Sequence, residues 1–179
     1  FGPGAQLLSG GGWIKANGTA EQPIIFTSAS NTPAVGDWNR IALDNPNDEV
    51  SFAQIQYGAT CLDLNQSIAV SHVEIKNCIK GLFLRTTFEG TVETSKISNN
   101  THGIYLGGNA SPTIRHNQIK DNSYGIYIES SLTPSIINND ILDNGNGIAI
   151  SFTNGFIVEN NIVGNTAFGI KNLNFNIIV

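Results

Sequence analysis

Methionine is absent from the 179 residues, and there are only two cysteines. Cys61 and Cys78 are too few for a disulfide framework or a cysteine-rich metal centre. A chain that begins at Phe1 and lacks methionine throughout is expected to be a piece of something longer. Charge is scarce too, with 13% charged residues and a formal net charge of -5. Phosphate binding needs a basic face, so nucleic acid is not an expected partner. No apolar run approaches the roughly 18 residues of a membrane span, and membrane insertion is not expected. A 3.6-residue apolar period is missing as well, which removes amphipathic helices from consideration.

Glycine is plentiful, with 19 residues, and asparagine is over-used. These residues recur at a fixed interval. "NNTHGIYL" (99–106), "DNSYGIYI" (121–128) and "DNGNGIAI" (143–150) are near copies. Gly81, Gly103, Gly125, Gly147 and Gly169 stand 22 residues apart. An apolar residue follows each one: Leu82, Ile104, Ile126, Ile148 and Ile170. Ile75, Ile97, Ile119 and Ile141 form another column, with Ile162 one place out of register. Asn100, Asn122, Asn144 and Asn165 form a further column, in which Cys78 takes the earlier place.

Within each unit apolar and polar residues alternate, the mark of strands. A unit this short cannot bury its own apolar face, so units must stack. Stacking in register brings equivalent residues to about 4.8 Å. The isoleucine columns then make a continuous core, and the asparagine column makes an amide ladder. Glycine is expected to supply turn conformations. A leucine-rich repeat also has an asparagine column, but the preference for Ile and the absence of a helical return segment disfavour it.

"RHNQIKDNSYGIYI" (115–128) and "INNDILDNGNGIAI" (137–150) resemble the "NxIxxNxxGIxI" coils of the right-handed parallel β-helix. "GWIKANGTAEQPIIFTS" (12–28) and "GDWNRIAL" (36–43) resemble an N-terminal coil type of such extracellular chains. The resemblance implies an all-β, right-handed parallel β-helix solenoid with about 22 residues per coil. It also implies an extracellular or cell-surface location. One domain is expected over 1–179, as part of a longer solenoid. Positions 1–49 would form irregular coils with a loop at 27–37, and 50–179 the regular ones. "NFNIIV" (174–179) reads as the start of a further strand, so neighbouring coils of a longer chain are expected partners.

The outward columns carry the candidate chemistry. Phe83, Tyr105 and Tyr127 lie between inward residues, and His102 and Tyr124 stand just before the glycines. Together they would form an aromatic stripe suited to the flat faces of a polysaccharide or cell-surface glycan. The bland alternative is that strands simply favour aromatics. Asp121 and Asp143, one coil apart, could share a Ca²⁺, although a solvated pair beside Lys120 is the plainer reading. No other cofactor is expected. Glu93 and Arg115 read as a surface ion pair. His72 and His116 share a column but are separated by Thr94, too far apart for one metal. Cys61 falls in the glycine column and Cys78 in the asparagine column. Their offset makes buried free thiols the expected state.

Two functions follow. The first is a non-catalytic extracellular module that binds glycan or acts as a spacer. The second is the core of a polysaccharide lyase or related carbohydrate-active enzyme. The resemblance ties lyase chemistry to a Lys or Arg base and an acidic Ca²⁺ cluster. No such constellation converges here: Lys76 and Lys120 share a column but Ser98 separates them. No catalytic residue is therefore assigned. Sequons at Asn17, Asn65, Asn99 and Asn109 accord with a secreted route.

Overall fold

The alternating pattern folds into short strands that pair only with their counterparts one coil away. The computed structural model describes residues 1–172 except 86, 132, 152 and 153. The expected strand at 174–179 lies outside the described residues.

All pairings are parallel, and the strands form three sheets that run the length of a right-handed solenoid of about six turns. The first sheet has eight strands: Gln6–Leu8, Trp38–Leu43, Gly58–Leu64, Lys80–Leu84, His102–Leu106, Tyr124–Ile128, Asn146–Ile150 and Phe168–Asn172. The second has seven: Lys15–Asn17, Glu49–Ser51, Ala69–Ser71, Thr91–Glu93, Thr113–Arg115, Ser135–Ile137 and Phe156–Val158. The third also has seven: Ile24–Phe26, Ala53–Gln56, Glu74–Lys76, Lys96–Ser98, Gln118–Lys120, Asp140–Leu142 and Asn161–Val163.

The core is the tube these sheets enclose. Ile97, Ile119 and Ile141 are each 0% exposed and pair in register, as do Ile104, Ile126 and Ile148. Each such side chain contributes roughly 1.5–3 kcal/mol on burial. Ile162, one place off in sequence, still pairs with Ile141. The coil gives up one residue between Ile150 and Phe156. It regains one between Asn165 and Phe168.

The repeat is shorter near its start. Val50 pairs with Val70 and Thr60 with Lys80, steps of 20. The step becomes 22 from Val70 to Val92. The cause is the connection from first to second sheet, which spans 65–68 in one coil and 85–90 in the next. The segment 27–37 is an insertion between the last strand of the first coil and the first strand of the second. With the long corner at 18–23 it lengthens the step from Lys15 to Glu49 to 34 residues.

Two of the three corners in each regular coil follow one rule. A single residue in the left-handed conformation turns the chain, and the next residue points inward. Between the second and third sheets the turning residues are Phe52, His72, Thr94, His116, Asn138 and Glu159, with φ of 47–56°. Between the third and first sheets they include Asn77, Asn99, Asp121 and Asp143, all near 55°, and then Gly164 at 72°. Asn and Asp tolerate this region better than most residues.

The inward residues after these turns form two ladders. In one, the Nδ2 of Asn100 donates to Oδ1 of Asn122, Asn122 to Asn144, and Asn144 to Asn165, each at 3.0 Å. The same oxygens also accept the backbone N–H of the preceding coil's asparagine. Asn117, Asn139 and Asn160 form a second ladder with the same pattern. Asparagine at these sites satisfies donors that a buried turn would otherwise leave unpaired.

The glycine column has a different origin from the one expected. Gly81, Gly103, Gly125, Gly147 and Gly169 lie in strands, not turns, and none has positive φ. A Cβ on Gly103 would sit 2.6 Å from the carbonyl oxygen of Gly125 and 3.2 Å from the Asn122 amide. From Gly81 to Gly147 the column is therefore set by lack of room, because each of these four glycines lies against the ladder amide of the next coil; a Cβ on Gly169 would meet Ile162 at 3.5 Å instead.

That contact also corrects the expectation for the cysteines. Cys61 and Cys78 are disulfide-bonded, with Cα atoms 6.0 Å apart. The offset between glycine and asparagine columns brings the two residues together, because it is the contact Gly81 makes with Asn100 one coil later. The bridge takes the place of one Gly–Asn contact, and the ladder begins immediately after it: the Cys78 N–H donates to Asn100 Oδ1 at 2.9 Å.

Candidate functional site

The outward residues of the first sheet lie in two columns. Lys80, His102 and Tyr124 are paired neighbours in one, and Asp63, Phe83, Tyr105 and Tyr127 in the other. Strand alternation points Phe83, Tyr105 and Tyr127 away from the buried residues on either side of them, whereas Lys80, His102 and Tyr124 stand outside because alternation breaks at the buried glycine that follows each one. The five expected aromatic residues come together. Phe83 meets Tyr105 edge-on at 5.2 Å, and Tyr105 lies 5.1 Å from Tyr127. His102 stacks on Tyr124 at 5.1 Å, with planes only 9° apart. His102 also meets Tyr105 and Tyr127 edge-on, which knits the two columns into one cluster. All five side chains are half-buried, since each packs on its neighbours.

Cations flank the rings at one end. The Lys80 ammonium lies 4.0 Å from the Tyr105 centroid and 4.3 Å from that of Phe83. The Arg85 guanidinium lies 4.5 Å from the Phe83 centroid. Gly107 leaves room for that ring, because a Cβ there would fall 2.9 Å from it.

Asp63 holds this end in place. Its side chain is 3% exposed and receives both Nε and Nη2 of Arg85 and Nη1 of Arg40. A buried carboxylate needs such partners to offset lost hydration. The hydrogen bond to Asp63 pushes the Arg85 guanidinium still higher than its usual range. Asp63, Arg40 and Arg85 were not among the expected site residues. The signal for Asp63 is present, since the 20-residue step that puts Cys61 in the glycine column puts Asp63 in the ring column. Arg40 is hidden by the register shift between Arg40 and Ala42.

Burial and then the Lys80 charge lower the His102 pKa, outweighing a backbone hydrogen bond to Ile79. Burial and then a hydrogen bond to Glu129 raise that of Tyr105. Beyond Tyr124 and Tyr127 the face dips into a hollow of about 150 Å³, lined also by Ala149, Ser151 and Lys171.

The other expected sites are placed as follows. Asp121 and Asp143 occupy successive turns between the third and first sheets, and the Asp121 carboxylate lies 3.4 Å from Lys120. Among the described residues no group of three or more His, Cys, Asp or Glu gathers as metal ligands would. Arg115 pairs with Glu93 at 2.8 Å in adjacent coils. His72 and His116 stand on either side of Thr94 in one turn column.

A family model described as a right handed beta helix region matches residues 48–176. No match to the chain is found among curated proteins or among solved structures.

Proposed function

Because the chain belongs to the right-handed β-helix family, we propose that it is a non-catalytic extracellular module that binds glycan on the ring-bearing face of its first sheet. The observation that carries this reading is the cluster of five aromatic rings over three successive coils. Flat rings with polar tips suit sugar, which has an apolar face and a polar edge. The strands beneath are tied coil to coil, so the platform is rigid before a ligand arrives, and rigidity lowers the cost of binding. The disulfide supports an oxidising compartment, hence the extracellular placement. Asp63 is held between two arginines, and Glu129 is hydrogen-bonded by Tyr105, which supports a binding rather than a catalytic reading.

The test is a glycan array followed by titration of wild type and a Tyr105→Ala/Tyr127→Ala double variant. Losing two stacking rings, each worth about 1–3 kcal/mol, should weaken binding by at least about 30-fold. Equal affinities would remove the ring face from the reading, and silence across the array would leave the spacer role. A lyase core is the second reading, favoured by Arg40, Lys80 and Arg85 beside the rings. Release of unsaturated uronate, followed by absorbance in the ultraviolet, would establish it instead.

A further inference from the structure

A groove of about 250 Å³ opens on another face, at the corner between the second and third sheets. Its origin is an irregularity in the coil rule. In the three coils that follow the first, one or two residues suffice at this corner; in the first coil the segment 18–23 takes six. The extra residues rise out of the stack as a pinned turn. Thr19 N–H donates to Gln22 O at 3.1 Å, Gln22 N–H to Thr19 Oγ1 at 3.0 Å, and Gly18 N–H to Ser51 O at 3.0 Å. Thr19, Ala20 and Pro23 form one wall of the groove.

The floor spans three coils. Phe52, His72 and Thr94 are the turning residues, and Gln54, Glu74 and Lys96 stand two places after them. Phe52 and His72 stack face to face at 4.5 Å and 16°. The stack runs along the solenoid and stops at Thr94, where a small side chain follows two rings. His72 and Thr94 both line the groove at the point where the stack stops. Thr94 is itself a misfit: β-branched residues are strongly disfavoured at φ near 50°, and its neighbours in the column are His, Asn, Phe and Glu. Such strain tends to persist where function requires it.

We propose that this groove is a second carbohydrate subsite, taking the face of one neutral pyranose ring against His72 in the place left by Thr94. The proposal rests on the reading of the chain as a glycan-binding module, and it concerns a different face. The volume lies below the roughly 300 Å³ at which drug-sized pockets begin, so the occupant is about one ring. Glu74 is ion-paired with Lys76 at 2.6 Å and stands beside Lys96 in strand register, so charge of both signs borders the groove and favours a neutral ligand over an anion. The Gln54 amide, the Glu74 carboxylate, the Lys96 ammonium and the hydroxyls of Thr19 and Thr94 supply both acceptors and donors for ring hydroxyls.

Thr94→Phe is the test variant. It extends the stack and fills the space, and Phe52 shows that this column accepts Phe at φ 47°. Saturation-transfer NMR would be read with methyl glucoside, methyl galactoside and methyl mannoside on wild type, Thr94→Phe and Tyr105→Ala/Tyr127→Ala. One pyranoside should bind wild type at millimolar level, lose at least about tenfold in Thr94→Phe, and keep that binding in the tyrosine variant. Binding that survives Thr94→Phe but is lost in the tyrosine variant overturns the groove and leaves the ring face standing. No signal from any of the three, or displacement by indole at lower concentration than by the sugars, overturns the proposal as well.

Discussion

Asn122 gives both its backbone N–H and its side-chain amide to one atom, Oδ1 of Asn144, each at 3.0 Å. Its own Oδ1 receives the same two donors from Asn100. Asn122→Ala would leave the buried backbone N–H and one side-chain amide N–H of Asn100 unpaired, while the Asn100 amide keeps its bond to the Ile75 carbonyl at 3.3 Å. Each costs about 1–3 kcal/mol. The expected loss is about 2–6 kcal/mol, read as a fall in Tm of roughly 4–24 °C for a domain of this size. Asn139→Ala in the second ladder should lose as much, and an unchanged melting curve in either variant would argue against the ladders.

Gly103→Ala adds only a methyl group, but the methyl would fall 2.6 Å from the Gly125 oxygen. Backbone cannot yield cheaply there, and overpacking of this kind costs about 1–3 kcal/mol. Gly11→Ala is the control, since a Cβ on Gly11 meets nothing within 4 Å. Chemical denaturation should separate the two by at least about 1 kcal/mol.

Mass spectrometry after alkylation without reductant should find no free thiol, because Cys61 and Cys78 are bonded to each other. Cys61→Ser/Cys78→Ser should lose about 2–4 kcal/mol. Cys61→Gly/Cys78→Asn restores the residue types the columns use in later coils. It should be more stable than the serine pair, since the introduced amide could donate to Asn100 as Asn100 does to Asn122. Equal stability of the two variants would count against the equivalence of bridge and ladder.

The His102 pKa is lowered in the folded protein, so the unfolded chain binds its proton more readily. Its contribution to stability is therefore complete above about pH 6.5 and is lost as pH falls below that value. The drop in Tm between about pH 7.5 and about pH 5.0 should be larger for wild type than for His102→Gln. Parallel drops would show that burial among Tyr105, Tyr124 and Tyr127 does not penalise the imidazolium. Asp37 and Glu49, whose pKa values are lowered by hydrogen bonds, act in a more acid range and do not confuse the comparison.

The solenoid was legible in the sequence because its cause is periodic. Ile97, Ile119 and Ile141 fall where a strict 22-residue step puts them, and strand alternation says which way Tyr105 faces. The second ladder was less visible, since Asn117, Asn139 and Asn160 are preceded by Ser95 and Val73, which break the column before it becomes long. The disulfide escaped for another reason. Column positions give neighbours along the stack, whereas the Cys61–Cys78 contact runs diagonally from one column to the next. The groove beside His72 was not legible at all, because its wall comes from a six-residue irregularity that no repeat predicts.

A last consequence concerns inheritance. In the coils from Lys80 to Ile150 every strand of the first sheet finds its partner one period away, and both ladders cross the boundary at the same step. A coding segment of one period, copied or lost in frame, would therefore return every strand to an equivalent neighbour without a break in register. Gain or loss of residues is absorbed at the corners, as where the connection 65–68 lengthens to 85–90 and again between Ile150 and Phe168. Such a molecule can change its length in whole coils over generations while its cross-section stays constant, and any ligand-bearing face would lengthen with it.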